Sequence, residues 1–215
     1  RTRKGSLKAI TRLIVTSATY RQVSHTAHGT ATDADNRFLW RQTPRRLQAE
    51  AMRDAVLVTS GKLNLKTGGP GYRDFKYTEA YAPIYQYITP DTPDLWRRSI
   101  YRFVVRTTPH EFLTTLDCPD PANLTPKRLT TTTPLQALTL SNNPFMLKQA
   151  VYFAARLKKD AGAKPANQID HAFQLALGRP PMPFEAKAAL QTIRAKGLFA
   201  LCHALLNANE FAYVD

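Results

Sequence analysis

Apolar residues recur three and four apart through most of this chain, which is the spacing of helices with one buried face. From Gly5 or Ser6 the pattern predicts a helix through LKAITRLIVTSA, with Leu7, Ile10, Leu13, Ile14 and Ala18 in an apolar stripe assigned to the core. The clearest helix follows in PRRLQAEAMRDAVLVTSG. Thr43 can cap its start, Pro44 suits the first helical position, and Gly61 suits the left-handed residue after its end. Leu47, Ala51, Ala55 and Val58 line one face of it, and Arg46, Glu50, Arg53 and Asp54 fall largely elsewhere.

Thr-Pro and Asn-Pro pairs start the later helices. Thr108-Pro109 precedes HEFLTTLD, Thr133-Pro134 opens PLQALTLSN, and Asn143-Pro144 opens PFMLKQAVYFAARLKKDAG, which Gly162 stops. IDHAFQLALG ends at Gly178, FEAKAALQTIRAKG ends at Gly197, and LFALCHALLN follows. Trp96 to Arg106, WRRSIYRFVVR, is the best strand candidate, with Ser99, Tyr101, Phe103 and Val105 on one side and Arg98, Ile100, Arg102, Val104 and Arg106 on the other; the arginines are also four apart, so a helix would cluster them too. Residues 64–93 are rich in Gly, Pro and Tyr and read as a long irregular loop. The expected fold is therefore mainly α, a multi-helix globular domain with one or two short strands and long ordered loops. Residues 1–162 form the main body, and 163–215 a C-terminal three-helix unit packed on it in one continuous domain.

Composition adds a formal charge of +14, from 30 Lys and Arg against 16 Asp and Glu. Such a balance suits an anionic partner, whether nucleic acid, anionic polysaccharide, a membrane surface or an acidic protein. The basic residues are spread along the chain, which favours a solvated surface, and nucleic-acid binding rests on net charge alone. No apolar run reaches the roughly 18 residues of a membrane span, and no signal peptide is visible. The opening RTRKGSL reads as the approach to a helix, as expected of a piece of a longer protein. Cys118 and Cys202 form no CxxC or CxxCH, so this stretch offers neither a thiol-redox motif nor a haem attachment site.

Three constellations have residue types suited to chemistry. Glu50 and Asp54 lie one turn apart, a spacing at which like charges repel, so a cation should cover them. Arg46 and Arg53 are local choices, and Arg98, Arg102 and Arg106 form a row whose guanidinium forks fit carboxylate, sulfate or phosphate. Pairing of this row with Glu50, Asp54, Glu111 or Asp117 is the favoured reading over an acid–base pair with an anion clamp. Tyr72, Tyr77, Tyr81 and Tyr85 suit a carbohydrate or protein contact surface, or equally serve to pin the loop. His25 and His28 are three apart and make a weak metal pair, with no HExxH glutamate beside them.

The runs LKAITRLIVTSATYRQ, DADNRFLWR, RRLQAEAMRDAVLVTSG, GGP, RRSIYRFVVR, TTTPLQALTLSNNPFMLKQA, ALGRPP and LCHALLNANEFAYVD carry a resemblance, as does the stretch around Asp117. In this order they resemble the planctomycete-specific C-terminal domain of large secreted proteins that also carry a planctomycete-type cytochrome c domain. The resemblance implies a periplasmic or secreted multidomain protein, with haem c in a domain outside this chain and no cofactor within it. It carries over no activity and no catalytic residue; Cys118 departs from it, standing where a small residue is expected. The expected role is a scaffold or interaction domain whose partners are other domains or chains of an exported redox protein. The alternatives are part of a substrate pocket of a haem-linked oxidoreductase for an anionic or carbohydrate substrate, and a module for an anionic polymer such as polysaccharide or nucleic acid.

Overall fold

The computed structural model describes residues 5–24 and 33–214. His25 and His28 lie outside the described residues. Among the described residues, eight α-helices and two small antiparallel sheets of two strands each make the protein mainly α. The described residues divide into two compact units, one of those up to Arg46 together with Tyr213 and Val214, and the other Leu47–Ala212.

In the first unit, α1 (Leu7–Val15) starts where Ser6 places its hydroxyl to accept from the Ala9 N–H. None of its residues is buried; Leu7 is 80% exposed and Ile10, Leu13 and Ile14 about half. The apolar stripe is there, but it is not core. Asp33 closes a tight turn by accepting the Arg37 and Phe38 N–H groups at 3.0 and 2.8 Å. Strand β1 (Arg45–Arg46) pairs antiparallel with β4 (Tyr213–Val214). This pairing corrects the helix start expected at Thr43-Pro44. The chain is extended at Arg45 and Arg46, and Thr43 Oγ1 accepts from Asn36 Nδ2 at 3.2 Å instead of capping a helix.

In the larger unit, α2 (Ala49–Thr59) begins after Gln48. It ends as expected, with the Gly61 N–H on the Val58 carbonyl and the Lys62 N–H on that of Leu57. Its buried face differs from the expected one. Ala49, Met52, Arg53, Val56 and Leu57 point inward, while Ala51 and Val58 are exposed. The apolar pattern misplaced the face because the true inward arc contains an arginine.

Helices α5 (Pro144–Ala161), α6 (Pro165–Leu177) and α7 (Pro183–Leu206) pack mutually, so residues on both sides of the expected boundary at 162 share one core. Met146, Phe153 and Leu157 of α5 and Ala172 of α6 are 0% exposed, as is Cys202 of α7. At Gly197, φ 82° and ψ 170° break α7 in two, at the junction its sequence places between two helices. A side chain at that conformation would be strained. Asn143 caps α5 and a Thr133–Gln136 capping box starts α4 (Pro134–Asn142), both at their Pro-marked sites.

The stretch read as irregular contains a hairpin: β2 (Phe75–Thr78) pairs with β3 (Ile84–Tyr87), setting Phe75 opposite Tyr87 and Tyr77 opposite Tyr85. The expected strand over 96–106 is absent. A short 3₁₀ turn, Pro93–Trp96, ends on its first residue, and a second, Ser99–Tyr101, lies within it. Ser99 causes the bend, because its N–H and Oγ both donate to Asp54 of α2, at 2.8 and 2.7 Å. Further on, the Tyr72 N–H donates to the Tyr101 carbonyl at 2.9 Å, and the Tyr72 carbonyl accepts from the Phe103 N–H at 2.8 Å. Gly71 permits this close approach: a Cβ there would sit 3.2 Å from both the Tyr101 carbonyl oxygen and the Phe103 nitrogen.

Candidate functional site

Buried arginines organise the centre of the larger unit. Arg53 is 3% exposed, and its guanidinium donates to the carbonyls of Leu95 (2.7 Å) and Arg97 (3.0 Å). It stacks on the rings of Tyr72 and Phe145, with Asp54 Oδ1 at 3.6 Å as counter-charge. Arg97 is buried in turn. Its guanidinium donates to the carbonyls of Lys66, Gly68 and Pro70 and so fixes the Gly-rich turn. Buried guanidinium is costly unless its donors are satisfied, and here backbone oxygens supply the partners.

Beside this lies a compact polar centre. Asp74, at 0% exposure, accepts from Arg102 Nε at 2.9 Å and faces His110 Nε2 at 3.5 Å. Tyr87 flanks both, 4.6 Å from the His110 ring and beneath the Arg102 guanidinium at 5.2 Å. Tyr87 also donates its hydroxyl to the Thr108 carbonyl. His110 caps α3 (Glu111–Thr115), its Nδ1 accepting the Leu113 N–H. Burial, reinforced by Arg102, pushes the His110 pKa down to about 4, so the ring is neutral at pH 7 and its proton sits on Nε2. Burial likewise pushes the Tyr72 phenol up to about 12.

The third layer is Glu50. Arg128, from the connector before α4, clamps its two oxygens at 2.7 and 2.9 Å, and this pairing lowers the Glu50 pKa. Cys118 Sγ lies 3.7 Å from Glu50 Oε1. Burial and the adjacent carboxylate hold its thiol up at about 11, so it stays protonated and is a poor nucleophile at neutral pH. Two cavities meet this centre, and His110 lines both. One, of about 190 Å³, is bounded by Arg53, Tyr87, Phe112 and Phe145. The other, of about 220 Å³, is bounded by Glu50, Arg102, Leu113, Cys118 and Arg128.

The structure scatters the residues the sequence grouped together. Arg98, Arg102 and Arg106 share no face: Arg102 is buried on Asp74, Arg98 is exposed with Nε 3.7 Å from Asp54, and Arg106 is exposed. Glu50 and Asp54 are covered from different segments, by Arg128 and by Ser99 with Arg53. Asp117 receives the Thr131 N–H and hydroxyl and the Gln136 amide, tying the connector to α3. Arg46 lies in β1 opposite Tyr213. Of the tyrosines, Tyr72 is buried, Tyr77 and Tyr85 stack on each other at 5.5 Å, and Tyr81 is fully exposed. Asp74, His110, Arg97 and Arg128 were missed. A lone Asp in a Gly-rich loop and a His before a short helix give no periodic signal. Among the described residues no three His, Cys, Asp or Glu side chains converge as a metal would require.

What fold and centre define is a mainly α-helical domain in which three arginines, Arg53, Arg97 and Arg102, are turned inward onto its own loops and carboxylates. The PSD1 profile, described as a protein of unknown function (DUF1553), matches residues 1–193, and the chain belongs to that family. No curated protein and no solved structure matches it.

Proposed function

We propose that this chain is an interaction domain of a larger exported, cytochrome-c-type protein, a scaffold that holds neighbouring domains and performs no chemistry of its own. The observation that carries the reading is the inverted polarity of α4. Gln136, a polar residue, is its buried one, while Leu135 and Leu138 are 61% and 57% exposed. The connector before it adds Leu129 at 74% and Leu124 at 101%. An apolar row turned outward is what a protein contact needs. The occupant is another domain of the same parent protein, and haem c would belong to that part. Export to the periplasm or cell surface follows from the same resemblance. The inward-turned arginines fit a rigid body better than a reactive cleft.

Hydrogen exchange on the parent protein tests this. Amides of residues 129–142 should exchange more slowly in the parent than in the isolated chain. Leu135→Asp with Leu138→Asp should erase that difference while leaving the isolated chain's Tm unchanged. Equal exchange rates in the two settings would overturn the proposal.

A further inference from the structure

The cavity beside Arg102 carries an inference that goes beyond the docking reading and does not depend on it. Arg102 is one of its walls, and its side chain is 7% exposed. The guanidinium is aimed by two contacts: Nε donates to Asp74 Oδ2 at 2.9 Å, and its face lies over the Tyr87 ring. Its Nη2 is buried and has no hydrogen-bond partner among the described residues. A buried donor left without an acceptor is disfavoured, and in native proteins such a group calls for a reason, a bound water or ion among them.

The rest of the lining narrows what that is. Val105, Pro109, Leu113 and Pro119 give an apolar wall, and Val104 lines the cavity while half exposed. The carboxylate of Glu50 is engaged by both nitrogens of the Arg128 fork. The charges around the cavity are paired, Arg102 with Asp74 and Arg128 with Glu50, which leaves the Arg102 Nη2 donor as the open polar group. A volume of about 220 Å³ is below the roughly 300–1,000 Å³ of sites for drug-sized ligands. We infer that this cavity binds a small monocarboxylate with a short apolar body, its carboxylate accepting from Arg102 Nη2 and its body resting on Val105 and Leu113. Singly charged ligands are favoured over sulfate or phosphate because Glu50 and Asp74 stand in and behind the wall.

The test titrates the full chain with butyrate, benzoate, sulfate and chloride at matched ionic strength, following amide and arginine Nε resonances by NMR. Butyrate and benzoate should give saturable shifts at Val105, Leu113, Thr114 and Arg102 Nε. Arg102→Lys should weaken binding about tenfold, since a single ammonium cannot reproduce the planar fork. Val104→Trp, at a half-exposed position on the cavity wall, should abolish binding without lowering Tm, and it decides the matter if Arg102→Lys fails to fold. Absence of saturation, shifts confined to other arginines, unaltered binding in Val104→Trp, or sulfate binding as tightly as benzoate would each overturn the inference.

Discussion

Arg53 donates its Nη1 hydrogen to the backbone carbonyl of Arg97 at 3.0 Å, so one buried guanidinium holds the residue that carries the next. Arg97 then reaches the Lys66–Pro70 turn. The two arginines in series connect α2 to the 95–99 segment and that segment to the Gly-rich loop. Neither makes its main contacts with a carboxylate; backbone oxygens of loops that form no ladder receive them.

Arg53→Met should therefore destabilise the protein by about 3 kcal/mol, because the Leu95 and Arg97 carbonyls lose their donor inside the fold. Arg53→Lys should recover only part of this, since one ammonium does not span both oxygens. Urea unfolding monitored by Trp96 fluorescence measures both.

Stability should fall between pH 6.5 and 4. The His110 pKa is about 4 in the folded protein against an ordinary 6.5, so the unfolded chain binds the extra proton first. The contribution is fully present above pH 6.5 and is lost as pH drops through this window, by at most about 3 kcal/mol. Protonation would also remove the Nδ1 acceptor that caps α3. His110→Asn, which can still cap, should flatten the stability profile across this window.

A second acid limb should appear lower. Arg179 bridges Glu185 and Glu210, with four nitrogen–oxygen contacts of 2.6–2.8 Å. The Arg179 hydrogen bonds hold the Glu185 pKa at about 2, below its usual 4.5. Stability from this group is present above pH 4.5 and lost as pH falls toward 2. Because these side chains are partly exposed, Arg179→Gln should cost only about 1 kcal/mol at pH 7. The same change should remove the limb between pH 4.5 and 2 from acid-unfolding curves.

Gly197→Ala should lower stability by about 1–3 kcal/mol although nothing crowds the position, because φ 82° with ψ 170° is a conformation essentially reserved for glycine. Thermal unfolding reads this directly, and Ala188→Gly in the same helix controls for helix propensity.

Helix identity and punctuation were legible in the sequence wherever the signal was local. Thr133-Pro134, Asn143-Pro144, Gly162, Gly178 and Gly197 each act through their own backbone, and each marks a boundary in the structure. Which face of a helix turns inward was less legible. In α2 the apolar pattern pointed to Ala51 and Val58, yet a satisfied arginine lies in the buried arc. In α1 a strong apolar stripe stays exposed.

By itself, then, the sequence determined a mainly helical protein, most of its helix ends, and an excess of arginine needing anionic or carbonyl partners. Tertiary structure alone decided which partners. Asp74 meets Arg102 and His110, and Glu50 meets Arg128, across separations of 28, 36 and 78 residues, distances over which no periodicity carries information. The same long-range bonds turned the alternating 96–106 segment away from a strand, because Asp54 captured Ser99 and the ladder lost its geometry.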